Sequence, residues 1–213
     1  MIIISNPISV PNEINDIHSL FAEGLMLFHV RKPDFSEAEM KAFLSEIGLE
    51  FRSRLVLHSQ HHLAEEFGIK RIHFTEKMRN GVINTPARFS KPSRSSENKI
   101  FNELREKGFH LSTSVHSMED FNTLNDVFEY AFLSPVFDSI SKPNYASKTN
   151  HFEAIIQRTN FSTKLVALGG ISPDNIQQTL KYGFDKAALL GTIWNSNNPI
   201  ENFKLCQQIA HSF

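Results

Sequence analysis

The chain has 213 residues, 40% of them hydrophobic and 21% charged, with a formal net charge of -1, the profile of one soluble globular domain with a full core. That near-neutral balance gives no support to a general nucleic-acid surface, which needs a strong basic excess. No apolar run approaches the roughly 20 residues of a membrane span, and Met1-Ile2-Ile3-Ile4-Ser5 has neither the charged start nor the length of a secretion signal, so the cytoplasm is the expected location.

Short β-like runs alternate with helical patterns along the whole sequence. Ile2 to Ile4 reads as a strand and Asn12 to Ala22 as a helix; Leu25 to Val30 and Ser36 to Ile47 repeat the pattern, followed by Arg54 to Leu57 with His61 to Phe67. After a strand over Arg71 to Phe74, the stretch Lys77 to Ser95 breaks the rhythm. It has no acid and many turn formers, and reads as a long βα loop: a lid whose Lys77, Arg79 or Arg88 screens an anionic substrate, or a solvated insertion. A helix over Ser96 to Lys107 closes that unit. The pairs Phe109 to Val115 with Met118 to Asp126, Tyr130 to Phe137 with Lys148 to Thr159, Lys164 to Leu168 with Ser172 to Tyr182, and Lys186 to Leu190 with Ile200 to His211 complete the chain. Strict βα alternation implies a parallel sheet covered by helices. The count predicts an α/β fold, a (β/α)8 TIM barrel forming a single domain over 1–213, with an open doubly wound sheet as the competitor. The lone Cys206 excludes an intramolecular disulfide framework and reads as a buried small hydrophobe.

In such a barrel the ends of the strands carry the chemistry. Strand seven runs into Gly169-Gly170-Ile171, and Ser172-Pro173-Asp174-Asn175 then opens a helix with N-cap residues. Strand eight ends at Leu190-Gly191-Thr192, a second turn where main chain can approach a ligand, and paired anion sites after the last two strands recur in this architecture. Arg31 with Lys32 offers a two-pronged grip on phosphate, although Arg31 could instead pair with Asp34. Lys142, in a polar loop with Ser139 and Ser141, is either a ligand-directed ammonium or a solvated lysine. His29, His58, His73 and His116 lie at strand ends and would face one mouth. A transition-metal site there is conceivable, but no His-x-x-x-His spacing supports it, and single acid/base groups or hydrogen-bonded structure are the commoner fates. His61 and His62 read as surface residues.

Val166-Ala-Leu-Gly-Gly-Ile171 with Asn175, then Gly183-Phe-Asp-Lys-Ala-Ala-Leu-Leu-Gly191, resembles the closing units of the thiamine phosphate synthase family and its thiazole tautomerase paralogues. His29-Val-Arg31 with Lys32 looks like that family's Gln-x-Arg-x-Lys strand end, and Arg71-Ile-His73-Phe is similar to its Gly-Val-His-Leu. Ser114-Val-His116-Ser resembles its Ser-x-His-Ser, and Ser134-Pro-Val-Phe137 through Lys142 its Gly-Pro-Val-Phe-x-Thr-x-Thr-Lys. Order and spacing agree from about Leu25 to Trp194.

The resemblance implies a (β/α)8 barrel, allowing a homodimer, that binds small phosphorylated thiazole and pyrimidine ligands and neither nucleic acid nor membrane. It assigns the phosphate to Gly169, Gly170, Leu190 and Gly191, other ligand contacts to Arg31, Lys32, Ser114, Ser139 and Ser141, and charge to Lys142. The synthases couple hydroxyethylthiazole phosphate to a pyrimidine pyrophosphate with magnesium, which needs hard oxygen ligands. Where the family has Asn-Asp after its third strand this chain has His58-Ser59, and where its second acid follows the fourth strand this chain has Lys77-Met78. Glu76 is the one nearby acid that could hold magnesium. The tautomerases isomerise a thiazole carboxylate phosphate by moving protons and need no cofactor, but Pro135 and Ser141 stand at their usual His and Cys positions. His58 and His116, with Lys142, then become the catalytic candidates. Metal-free isomerisation, magnesium-dependent coupling and non-catalytic binding of thiamine phosphate all remain open, with the first slightly favoured.

Overall fold

The computed structural model describes residues 1–84, 94–137 and 151–212. Its strands are β1 (Ile2–Ile4), β2 (Leu27–Val30), β3 (Leu55–Leu57), β4 (Arg71–Phe74), β5 (His110–Val115), β6 (Phe128–Leu133), β7 (Lys164–Leu168) and β8 (Lys186–Leu189). All pair in parallel and in sequence order, and β1 joins β8 as well as β2, so the sheet closes into an eight-stranded barrel. The helices are α1 (Glu13–Ala22), α2 (Glu37–Ile47), α3 (Leu63–Glu66), α4 (Glu76–Asn84), α5 (Arg94–Glu106), α6 (Met118–Asn122), α7 (His151–Ala154), α8 (Ile176–Lys181), α9 (Gly191–Trp194) and α10 (Pro199–His211). No helix among the described residues is long and apolar enough to cross a membrane.

Side chains alternate across each strand, which divides the apolar residues into two cores. Ile3 packs outward with Ile17, Leu20 and Phe21 of α1. Ile2 and Ile4 point into the lumen with Tyr130, Phe132, Val166 and Ala188. Helix α2 starts where Ser36 forms a reciprocal cap with Glu39: the Ser36 Oγ accepts from the Glu39 N–H, and Glu39 accepts from the Ser36 N–H at 2.7 Å. Its buried face, Met40, Phe43, Leu44 and Ile47, has the three-and-four spacing of one helical side. Cys206 is buried in α10, where burial pushes its thiol up to about 12.

Several boundaries differ from the sequence expectation. The sixth strand ends at Leu133, not Phe137, because Pro135 has no N–H to extend a ladder. Most helices are shorter than their periodicity suggests: α3 keeps four residues and α6 five. Between Lys77 and Ser95 the expected loop is helical at both ends, in α4 and at the start of α5. Thr75 caps α4, its Oγ1 accepting from the Met78 N–H at 3.2 Å. Arg79 is no lid cation: it is 7% exposed and donates to Thr113 Oγ1 and to the Ser114 carbonyl, each at 2.9 Å. Arg88 lies outside the described residues.

Lys32 departs furthest from expectation. Its side chain turns away from the strand ends and is fully buried. There the ammonium donates to Glu13 Oε2 at 2.5 Å and to the Ile8 carbonyl at 2.9 Å, 4.9 Å from the Phe43 ring centre. Burial pulls the ammonium's pKa down and the Glu13 carboxyl's up, with their mutual attraction opposing both shifts. The pair clamps α1 to the end of β2. Removing one member strands the other charge, so Glu13→Ala is expected to cost about 3–5 kcal/mol in a urea titration, while replacing both by apolar residues of similar volume recovers most of the loss. A single variant costing under about 1 kcal/mol would show that the pair is not a structural support.

Candidate functional site

A cavity of about 410 Å³ opens at the carboxyl ends of the strands. Arg31, His58, Ser114, His116, Gly169, Gly170, Leu190 and Gly191, all expected at the site, line it. So do Thr75, Glu76, Lys77 and Ser134, above an apolar floor that includes Ile4, Phe132 and Ala188. Lys32 does not line it, for the reason given above. Lys142, Ser139 and Ser141 lie outside the described residues.

The two glycine turns form one side. Gly169 has φ +97°, and a Cβ there would stand 2.9 Å from the Pro135 Cα, so a glycine is required by conformation and by close packing alike. The approach is fixed by hydrogen bonds from the Val136 N–H to Leu168 O (3.0 Å) and from the Phe137 N–H to Gly169 O (3.1 Å). Gly170 also has positive φ, +66°. Asn175 does not cap α8 with its side chain, as the sequence suggested. Its Nδ2 donates to Gly170 O at 2.8 Å and its Oδ1 accepts from the Ser172 N–H at 2.9 Å, which braces the turn from within. The Thr192 hydroxyl donates to Ile171 O, linking the turn after β7 to the one after β8. Among the described residues the N–H groups of Gly170 and Gly191 have no hydrogen-bond partner.

Other residues lining the cavity carry chargeable side chains. Arg31 is anchored through its main chain, its N–H donating to Ser5 Oγ at 2.8 Å. Among the described residues its guanidinium makes no ion pair, with Asp34 or any other acid. His116 is exposed. Its Nδ1 meets the Ser134 carbonyl at 2.7 Å, which makes Nδ1 the protonated nitrogen, and its Nε2 lies 3.5 Å from Glu76 Oε2. That carboxylate oxygen is buried and no donor is aligned on it.

His29 and His73, expected at the mouth, lie fully buried beneath it; of the three lumen histidines only His58 reaches the cavity. His58 Nε2 is 2.8 Å from His29 Nδ1, and His29 Nε2 is 2.6 Å from the Tyr130 hydroxyl. His73 sits between two serines, Nδ1 at 2.9 Å from Ser112 Oγ and Nε2 at 2.8 Å from Ser114 Oγ. Burial is the main cause that lowers all three imidazoles, His29 and His58 well below the usual value and His73 to about 3, with lesser contributions from one another and from Arg31, Arg71, Arg79 and His61. These histidines are neutral. His61, expected at the surface, is half-buried, its Nε2 3.1 Å from the His73 carbonyl; His62 is exposed, as expected, beside Glu37.

Two metals can be tested against these donors. Magnesium bound to pyrophosphate needs several hard oxygens, and Glu76 is the single carboxylate among the described residues lining the cavity; the donor set does not fit. His29, His58 and His73 bring one nitrogen each within 4.8 Å of the others, close enough for a transition metal. Yet five of their six nitrogens are engaged as described, and the His58 and His73 rings stack at 4.2 Å and 23° instead of converging edge-on upon a common point.

The fold and the cavity define a class: an eight-stranded α/β barrel with a ligand-sized opening at the carboxyl ends of its strands. Residues 1–193 match the family model for thiamine monophosphate synthase, and the chain belongs to that family. A thiamine-phosphate synthase from Leptospira biflexa serovar Patoc is 30% identical over 96 residues, which is 43% of this chain and 46% of that one. The chain therefore spans about half the length of the curated relative it matches. A solved thiamine phosphate pyrophosphorylase from Bacteroides thetaiotaomicron superposes with a TM-score of 0.72 at 27% identity, covering 99% of this chain and 97% of the other. One from Pyrococcus furiosus has the same TM-score at 14% identity, over 99% and 94%, a likeness of fold.

Two outcomes follow from this geometry. An imidazole whose native pKa lies below its unfolded value of about 6.5 leaves the native protein binding fewer protons than the unfolded chain at lower pH. Stability is therefore full above about pH 6.5 and falls as pH drops below it, by up to about 1.4 kcal/mol per pH unit for each histidine, until the native group itself protonates. Urea midpoints at pH 7.5 and 5.5 should show the fall; a flat profile would mean that the lumen histidines are already charged. Gly169→Ala is expected to cost about 1–3 kcal/mol through its positive φ and to displace Pro135, read as a lowered thermal midpoint.

Proposed function

We infer that the cavity binds a phosphorylated thiazole and rearranges it by metal-free proton transfer, an isomerisation, in preference to joining it to a pyrimidine. The observation that carries this reading is the donor set: two imidazoles, two serine hydroxyls and one carboxylate among the described lining residues, which suits moving protons and not holding pyrophosphate-bound magnesium. The phosphate is assigned to the N–H groups of Gly170 and Gly191, unpaired among the described residues, with Arg31 supplying a guanidinium that ion-pairs with no described acid. The apolar floor of Ile4, Phe132 and Ala188 takes the ring. His58, neutral and at the edge of the lumen, serves as a base. His116, its Nδ1–H held by Ser134 O and its Nε2 facing Glu76 at 3.5 Å, is placed as the second proton-transfer group.

The coupling reading has one observation in its favour, the buried Glu76 oxygen without an aligned donor, together with the names of the relatives. One experiment separates the readings. Thiazole carboxylate phosphate, alone, and thiazole phosphate with pyrimidine pyrophosphate are each incubated with magnesium and with a chelator, following isomerisation by NMR and pyrophosphate release. Isomerisation that survives the chelator is expected, with His58→Gln and His116→Asn each lowering the rate by about 10²–10⁴. Magnesium-dependent pyrophosphate release would overturn the reading in favour of coupling. Binding without turnover of either kind would make the protein a binder.

A further inference from the structure

The lumen contains more polar chemistry than the proposed isomerisation uses. His58 and Ser114 both line the cavity, on β3's exit and on β5, and each continues inward through hydrogen bonds. From Ser114 Oγ the path runs to His73 Nε2 (2.8 Å) and from His73 Nδ1 to Ser112 Oγ (2.9 Å). Ser112 is the cross-strand partner of Tyr130, and its hydroxyl, which donates to Ile72 O at 3.5 Å, lies on the lumen side beside that of Tyr130. Tyr130 reaches His29 Nε2 at 2.6 Å, and His29 Nδ1 reaches His58 Nε2 at 2.8 Å. Two arms thus descend from the same cavity and end on cross-strand neighbours, Ser112 and Tyr130, where a turn of the Ser112 hydroxyl from Ile72 O would join them.

We propose that these six groups form a proton relay whose two ends, the His58 Nδ1 and the Ser114 hydroxyl, face one ligand. Each group carries one transferable proton when the imidazoles are neutral, as burial keeps them, so once the Ser112 hydroxyl turns from Ile72 O to join the arms the chain can point in only two consistent directions. In one, the Ser114 hydroxyl donates to His73, and every link passes on to His58; all three histidines then carry the proton on Nδ1. In the other, His58 donates to His29, and every link passes back to Ser114; all three carry it on Nε2. The second state has a free lone pair on His58 Nδ1 and an outward proton on Ser114. When His58 takes a proton from the ligand, its Nε2 proton moves to His29, and one proton shifts along every link. His73 delivers its Nε2 proton to Ser114, and Ser114 releases its own to the ligand. One proton enters, one leaves, no group becomes charged, and the relay ends in the first state.

This deepens the proposed isomerisation, with Ser114 as a second route for the returning proton beside His116, and rests on it for its use, but the relay itself is read without substrate. ¹⁵N NMR of the ring nitrogens at pH 7 should show His29, His58 and His73 sharing one tautomer, or exchanging together between the two. Tyr130→Phe removes the central link while keeping the ring, and should release His73 from that agreement; Ser112→Ala, cutting the next link, should do the same. Mixed tautomers in the native protein, or tautomers unmoved by both substitutions, would overturn the relay. So would one equivalent of zinc shifting all three imidazoles together, the signature of a metal site. In turnover of thiazole carboxylate phosphate, Tyr130→Phe should lower kcat about tenfold with KM unchanged. Failure of the native protein to turn over would sink the isomerisation reading alone and leave the tautomers to decide the relay.

Discussion

Six polar side chains from β2 to β6 meet in a lumen that parallel barrels ordinarily fill with branched apolar residues. Each needs a partner, because a buried donor or acceptor left unpaired costs about 1–3 kcal/mol. The partners are one another, contributed by strands far apart in sequence: His29 and Tyr130 are separated by 101 residues. The network is therefore satisfied only when the barrel is closed in its native register, and a slip of a single strand would unpair several groups at once. The opposite wall, from β1, β7 and β8, is apolar, so the lumen has a polar side and a hydrophobic side, and the cavity above inherits both.

That inheritance gives the cavity two unlike halves. Among the described residues, glycine turns with unpaired N–H groups and a guanidinium in no ion pair suit an anion, while imidazoles, hydroxyls and one carboxylate suit proton movement. The apolar floor lies between them. Membership in a thiamine monophosphate synthase family does not by itself select a reaction, and the halves need not have changed together: the glycine turns are fixed by main-chain geometry, whereas a metal site depends on a few carboxylates that substitution removes without disturbing the barrel.

The architecture was legible because periodicity and glycine placement are local. Strand runs, the βα alternation and the turns after β7 and β8 all follow from neighbouring residues, and the cavity gathers most of the polar residues named at the strand ends. What escaped depends on distant partners. Lys32 beside Arg31 looks like a second phosphate ligand until Glu13, 19 positions earlier, claims it. Arg79 reads as a lid cation until Thr113 does the same, although Thr75 as a helix cap was a readable signal for α4. The lumen network was hidden more deeply. Phe128 and Tyr130, two apart, should share a face. The irregularity between Leu111 and Ser112 skips Glu129, sending Phe128 outward against Phe101 and Tyr130 inward. No periodicity marks such a bulge.

The tie between Thr192 and Ile171 has a thermodynamic consequence. Asn202 of α10 donates to the Thr192 carbonyl at 2.9 Å, Thr192 donates to Ile171 O, and Asn175 grips Gly170 O. Both glycine turns are thus shaped by side chains that do not line the cavity, and α10, outside the barrel, reaches the mouth through two residues. The conformational entropy of ordering that mouth is lost when the chain folds and need not be lost again at each encounter. Capture and release can then be rapid, and substitutions in the two turns will have coupled, non-additive effects, as for a jaw hinged on a single bone.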